Sequence, residues 1–507
     1  MGAAANMATS NRQTKRGVFF AHGRPNPRGV IEGLVAGRGW AGVLALAAAL
    51  ACQPPPRAPA PPEPSSARAP TAPVHFVGRA GSGVSSSESG LEDRLGSIKA
   101  RLEALSASLM IFWKIHGPDT KYGGIHGFHD RRGIPKEDAP KGLVQQSRHL
   151  WSYSTWYARR EKTPEIKATA ASIYAFLNDH FLDHKDGEFV YTVSRDGSKV
   201  VEPKKLLYAE SFAIFALATY AQVFGVAEAG KKAMACFQSI DRRAHDSEYL
   251  GYDQTNDPGW LAPGAQKDTN THIHLLEAFT QLYRLSQDAT VKARLEELVK
   301  VVATLITQSS NYAHKEFYRD WRVHEKPMVS YGHDLETAWL LIDALDALGT
   351  PLEPQVSQVA LAMGKHSAEL GFDREKGGYF EEGVPGGAPS KLEKVWWIQA
   401  EALPGLWWLY RLSNDASYLD KLESTLAWIE TRQLDREHGE WYWGILPDGS
   451  IGPRGDHKGE EWKAQYHALR AALFTSDWIS EALSKPSSAG APDSAARSPG
   501  EQAPGAL

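Results

Sequence analysis

Two kinds of helical pattern alternate through the middle of the chain. Segments 147–153, 208–220, 272–283, 333–345, 396–410 and 466–474 are apolar and aromatic nearly all round, whereas 164–182, 290–307, 352–370 and 418–432 carry charge along one side. A helix with no polar face has to be buried, and one with a single polar face sits at the periphery. Between them short glycine and aromatic clusters recur: Tyr122-Gly123-Gly124, Asp186-Gly187-Glu188-Phe189, Tyr249-Leu250-Gly251-Tyr252, Lys315-Glu316-Phe317-Tyr318, Gly377-Gly378-Tyr379-Phe380 and Gly439-Glu440-Trp441-Tyr442. Their spacing stays at roughly sixty residues, and a fixed period is the mark of a repeated supersecondary unit. The pattern predicts an all-α domain of six inner and six outer helices closed into an (α/α)6 barrel.

The ends break this pattern. After a stretch of scattered Arg and Gly, Trp40 opens an apolar run that ends in Ala49-Leu50-Ala51-Cys52. A run of about a dozen residues is too short to span a bilayer and has the character of a secretory leader. Its ending resembles a bacterial lipobox, which implies lipidation of Cys52 and an exported lipoprotein, periplasmic or anchored to the outer membrane. Secretion without lipid, or no export, are the alternatives. Residues 53–90 are Pro-rich and then Gly/Ser-rich, the composition of a disordered linker, and 485–507 repeat that character as a tail. The expected organisation is therefore leader 1–52, linker 53–90, helical domain 91–484 and tail 485–507. Beyond the leader Cys236 is the only cysteine, so no disulfide framework is available. A formal net charge of −4 argues against nucleic acid or an anionic membrane face as partner. Membrane contact is expected only through the lipid anchor, and the domain is expected to be a monomer.

Candidate chemistry gathers at the starts of the inner segments. His333 and Glu336 are three apart, as are His274 and Glu277. On a helix that spacing puts both side chains on one face, about 5 to 6 Å apart at Cβ, so each carboxylate is expected to fix the tautomer of its imidazole. His467 follows Trp462 in an aromatic setting, and Arg148 and Trp397 stand at the same ends of their segments. A closed ring points all of these at one axial cavity. One histidine on an apolar helix is commonly a core residue; three at equivalent ends are better explained by chemistry, because imidazole can act as acid or base near pH 7.

The segments Ser147-Arg148-His149-Leu150-Trp151, Asn270-Thr271-His272-Ile273-His274-Leu275-Leu276-Glu277, Ser330-Tyr331-Gly332-His333-Asp334-Leu335-Glu336, Trp396-Trp397-Ile398-Gln399-Ala400-Glu401 and Trp462-Lys463-x-x-Tyr466-His467 are similar to the cellobiose 2-epimerase branch of the N-acylglucosamine 2-epimerase family. The resemblance runs over about residues 95–480. It implies a cofactor-independent, metal-free isomerase that inverts C2 of the reducing-end glucose of a β-1,4-linked disaccharide such as cellobiose, giving glucosyl-mannose through ring opening and an enediolate. It also implies that His333 and His467 are the acid/base pair and that His274 is a third catalytic histidine at the O1/O5 region. Arg148 and Asn270 would hold sugar hydroxyls, with Tyr208, Glu277 and Glu336 close by. Trp397, or its neighbour Trp396, and Trp462 would offer stacking faces. The chain departs from the family in having Gln465 where proline usually precedes Tyr-His, and Ala468-Leu469 where Asn-Gly usually follows.

Other readings compete. An aldose–ketose isomerase, or a mannose or N-acylglucosamine 2-epimerase acting on a monosaccharide, shares the enediolate. A glycoside hydrolase needs two carboxylates about 5 to 10 Å apart, for which Glu277, Glu336, Glu381 and Glu401 are available, but it leaves the histidines unexplained. Zinc could draw on His272, His274, His333 and His467, yet His272 and His274 differ by two and no His-Glu-x-x-His occurs. A non-catalytic sugar-binding lipoprotein has the aromatic residues it needs, and makes the bases superfluous.

Overall fold

The computed structural model describes residues 84–254, 266–324, 328–350, 354–455 and 457–484. The expected leader with Cys52, most of the linker and the tail lie outside them. Twelve α-helices follow in order: α1 (Val84–His116), α2 (Leu143–Arg159), α3 (Pro164–Phe176), α4 (Leu207–Phe224), α5 (Ala227–Ala244), α6 (Thr269–Ser286), α7 (Ala289–Lys300), α8 (Tyr331–Leu348), α9 (Pro354–Leu370), α10 (Trp396–Ser413), α11 (Ser417–Trp428) and α12 (Tyr466–Ser484). The even-numbered helices form the inner ring. Each packs beside the next, and α12 returns against α2, while every odd-numbered helix lies outside.

Burial follows the sequence pattern. Every residue of α2 from Leu143 to Trp156 is buried, as is every residue of α4 from Leu207 to Ala221. Helix α4 is long and apolar enough to cross a membrane, but 78% of it is enclosed by its neighbours. The outer helices that the charge pattern did not single out are α1, which covers α12, and α5, which covers α4. Helix α1 begins at Val84 and so reaches back into the stretch expected to be linker.

Five of the glycine clusters belong to turns closed by antiparallel bridges: Pro118 with Ile125, Leu182 with Phe189, His245 with Tyr252, Phe372 with Tyr379 and Leu434 with Trp441. An aspartate opens each turn and pairs at 2.7 to 3.1 Å with a lysine of the segment leading to the next inner helix: Asp119–Lys141, Asp183–Lys205, Asp246–Lys267, Asp373–Lys394 and Asp435–Lys458. A side chain in the first turn of the inner helix then reaches back to accept the N–H of the bridging turn. Gln146 takes that of Ile125 (2.9 Å), Glu210 that of Phe189 (3.1 Å), His272 that of Tyr252 (3.0 Å) and Gln399 that of Tyr379 (2.8 Å).

The fourth unit differs from the expectation. Glu316–Tyr318 is a strand paired with Gln266–Asp268, not the repeat turn. The equivalent turn lies at 307–314, where Asp334 accepts the N–H of Ala313 (2.9 Å) and Gln308 and Ser309 take up left-handed backbone (φ 48° and 64°). Val329 stands where four of the other units carry lysine, two residues before the inner helix, and no Asp–Lys pair forms at this turn among the described residues.

Candidate active site

The ring gathers at one end the residues carried by the opening turns of the inner helices: Arg148 on α2, Tyr208 on α4, His274 on α6, His333 on α8, Trp397 on α10 and His467 on α12. Ser330 caps α8 by accepting the N–H of His333 (3.4 Å). Gly332 allows α10 to come close, since a Cβ there would meet the Trp397 ring at 2.7 Å. As a result the Trp397 ring lies 4.7 Å from that of His333 and 5.9 Å from that of His467. The rings of His274 and His467 are 6.3 Å apart. Arg148 donates to the Tyr208 hydroxyl (2.7 Å) and to the carbonyl of Trp462, while its guanidinium covers the face of Phe212 (4.4 Å). Trp462, in the loop before α12, is half-buried beside Tyr208 (5.9 Å), and its indole N–H donates to Glu461 (2.7 Å). Asn270 lines a cavity of about 390 Å³ together with His333, Gln254, Gln266 and Lys315.

One turn below lies a layer of charge. Glu277, Glu336 and Glu401 project from α6, α8 and α10, and Arg470, on α12 three residues after His467, hydrogen-bonds all three. Glu401 also accepts from His467 Nδ1 (2.7 Å) and from the Trp339 indole N–H (3.1 Å). With Arg470 and Trp339 also donating to it, Glu401 serves as acceptor of the His467 Nδ1–H, which leaves the lone pair on Nε2. Glu277 takes the His274 Nδ1 (3.1 Å) and the Tyr466 hydroxyl (2.5 Å).

Here one expectation fails. Glu336 does not hold His333: its Oε1 is bound by Arg470 and lies 3.9 Å from Nδ1 of His467, and its buried Oε2 has no hydrogen-bond partner. Spacing places two side chains on one face of α8, and the buried guanidinium then captures the carboxylate. No hydrogen bond to the His333 ring is formed among the described residues, and the ring rests on Trp397 instead.

Electrostatics follow burial. Burial pushes His333 down to about 3, with the nearby His274 adding to it. Burial, then the charges of Arg148 and Arg470, lower His467 well below the usual imidazole range. Both shifts favour the neutral imidazole, the form that has a lone pair for a proton. Burial and then the charge of Glu401 push Glu336 up to about 7. Against a burial effect that would raise it, Arg470 and His274 hold Glu277 down to about 2.

Trp396, expected as a stacking face, is not one. It is 3% exposed and packs on Trp443 at 4.2 Å, since consecutive residues on a helix point about 100° apart and only Trp397 can face the cavity. His272 is spent on the Tyr252 N–H and on the Asp268 carbonyl (2.7 Å), so it is not available to a metal. Glu336, Glu401 and His467 bring ligand atoms within 4.8 Å of one another, but the guanidinium of Arg470 is already the cation among those carboxylates. Sequence reasoning missed Arg470 altogether and, beyond placing Glu401 in the 396–401 motif, gave it a role only as a possible hydrolase carboxylate. The signal for Arg470 was present, because His467-x-x-Arg470 repeats the spacing of His274-x-x-Glu277 and His333-x-x-Glu336.

Comparison with known proteins places this geometry. Residues 123–471 match the sequence profile of N-acylglucosamine 2-epimerase. The cellobiose 2-epimerase of Bacteroides fragilis is 30% identical over 385 residues, covering 73% of this chain and 96% of that protein. The structure of the cellobiose 2-epimerase from Spirochaeta thermophila superposes with a TM-score of 0.72 at 32% identity, over 77% of this chain and 98% of the other. That of the Bacillus thermoamylovorans cellobiose 2-epimerase gives 0.69 at 26% identity, over 76% and 99%. By the extent of these matches and the (α/α)6 fold they share, the chain belongs to the N-acylglucosamine 2-epimerase family and is an epimerase of the isomerase class.

Proposed function

We propose that the protein inverts C2 of the reducing-end glucose of a β-1,4-linked disaccharide such as cellobiose. The observation that carries this reading is the pair of imidazoles, His333 and His467, on inner helices α8 and α12 with Trp397 in contact with both. After ring opening, one imidazole takes the proton from C2 and electrons move into the C1 carbonyl to give an enediolate. The other imidazole returns a proton to the opposite face of C2. General acid/base steps of this kind contribute about 10² to 10⁴-fold each. Arg148 and Tyr208, joined at 2.7 Å, are donors suited to the developing oxyanion, with His274 at the O1/O5 end. Trp462 and Trp397 are half-buried and offer indole faces to the sugar rings.

The test is turnover of cellobiose in D₂O followed by NMR. Deuterium at C2 of the glucosyl-mannose product is expected; product that keeps its original C2 hydrogen would exclude exchange through these histidines. A ketose product would favour the isomerase reading, and conversion of free glucose or mannose alone would favour a monosaccharide epimerase. For the leader, we propose export and lipidation at Cys52. Cys52→Ser is expected to move the protein from membrane to soluble fractions, and an unprocessed cytoplasmic wild type would refute that.

A further inference from the structure

The barrel has a second cavity at its far end. The middle and C-terminal turns of α2, α4, α6 and α8, with Phe474 of α12, line a space of about 310 Å³ that also borders Glu277 and Trp339. Three features define what it can hold. One wall is aromatic: Trp151 and Phe215 stack at 5.7 Å and 17°, with Phe474 edge-on to Trp151 at 6.0 Å. The mouth is amide-lined: Gln281 donates to Gln222 (2.7 Å), which leaves the Gln222 amide hydrogens and the Gln281 carbonyl free for a ligand. Its charges are already balanced, since Arg284 grips Asp343 through two bonds of 2.9 Å and Arg159 binds Asp477 at 2.7 Å.

These features select a ligand class. Helix C-termini face this end, and their last carbonyls lack intrahelical partners, so the surroundings accept hydrogen bonds and disfavour anions. A ring with a C–H face for the aromatic wall and hydroxyl donors for the carbonyls and amides matches all three. We propose that the far cavity is a second carbohydrate site, taking a neutral pyranose-sized sugar. It shares Glu277 with the catalytic end, where that carboxylate holds His274. Occupancy of the far site is therefore felt at the active site.

Methyl α-D-glucopyranoside is the probe, because its blocked anomeric carbon cannot ring-open and it is never turned over. Calorimetric titration of the full-length protein is expected to show two sites. Thr219→Trp, which fills the far cavity from α4, is expected to abolish one site and to leave cellobiose turnover without added glucoside within about twofold of wild type. Arg148→Ala should abolish the other site. In the wild type, saturating glucoside is expected to change kcat through the far site, an effect that Thr219→Trp removes. A single site in wild type that Arg148→Ala abolishes, or two sites that both survive Thr219→Trp, would overturn the proposal. Should Thr219→Trp not fold, the Gln222→Ala/Gln281→Ala double variant replaces it. That variant is expected to weaken far-site binding at least fivefold, and unchanged affinity would overturn the proposal equally. The two turnover outcomes rest on the proposed epimerase reading, whereas the titration outcomes do not depend on which sugar the catalytic end converts.

Discussion

His467 and His333 flank the Trp397 ring from unlike surroundings. His467 has a buried carboxylate at 2.7 Å on its Nδ1, and that carboxylate is in turn fixed by Arg470 and Trp339. His333 has only the face of Trp397, at 4.7 Å, and is partly open to the cavity. The first imidazole is oriented electrostatically and the second by packing. This difference teaches that the two bases need not respond alike to changes behind them, although the proposed reaction needs both.

Removing either imidazole should have the largest effect on rate. His333→Asn and His467→Asn each keep side-chain size and some hydrogen bonding while removing proton transfer. Each is expected to lower kcat by at least ~10²-fold with a much smaller change in binding. A one-base variant should still exchange the C2 proton of bound sugar with D₂O, and NMR of recovered substrate reads this directly. Undiminished kcat in both variants would remove the histidine mechanism.

Arg470→Met removes the cation that fixes Glu401 behind His467 and Glu277 behind His274, and touches nothing that holds His333. It leaves three buried carboxylates without their shared cation, so folding stability should fall by about 3 to 5 kcal/mol, measured by urea unfolding. Glu401→Gln is the gentler form of the same cut. The amide can no longer present a charged acceptor to Nδ1, so kcat should drop on the order of 10-fold with KM little changed. Equal losses for Glu336→Gln, whose carboxylate hydrogen-bonds neither His333 nor His467, would show that the Nδ1 partner of His467 has no special part.

Glu336 sharpens the comparison through pH. Its folded value of about 7 lies above its ordinary 4.5, so the folded state binds a proton more tightly than the unfolded chain does. The stability it contributes is fully present below about 4.5 and is lost as pH rises through about 7. Glu277 has the opposite sign: its folded value of about 2 means that its contribution is present above 4.5 and is lost only as acid carries the pH down through 2. Unfolding free energies measured from pH 4.5 to 8 should therefore slope downward from this site in wild type, and Glu336→Gln should flatten the slope by on the order of 1 kcal/mol or more. An unchanged slope would show that Glu336 stays ionised across the range.

Much of this was legible in the chain. The all-round apolar segments became the inner ring, and the three histidines gathered at one end of it, because helical burial and face are set by local spacing. What spacing does not state is the partner. His333 and Glu336 share a face, yet the carboxylate belongs to a guanidinium 134 residues away. Asp334, embedded in the same motif, serves the repeat turn by accepting from Ala313 N–H and Ser367 Oγ. Helix α5 escaped notice because much of its buried face is small, with Ala229, Ala233 and Ala244 beside Cys236, Phe237 and Ile240. The fourth turn was misplaced because its aspartate and glycine are missing, and an aromatic strand nearby carried the expected look.

The smallest effect is expected where packing alone positions the base. A Cβ on Gly332 would stand 2.7 and 2.8 Å from the far atoms of the Trp397 indole, closer than carbon atoms can sit. Gly332→Ala must therefore push the indole aside, and His333 loses the surface that holds its ring. Aromatic contacts of this kind are worth about 0.5 to 1.5 kcal/mol, so kcat should fall between about 2- and 12-fold. Phenylalanine lacks those far indole atoms, which gives a second measurement in which the Ile398 side chain, at 2.8 Å, is the remaining close neighbour. Adding Trp397→Phe to Gly332→Ala should recover part of the loss, whereas Trp397→Phe alone should cost a little. That sign reversal is a coupling between two touching residues, which independent effects cannot produce. Additive losses in the double variant would mean that Trp397 does not position His333.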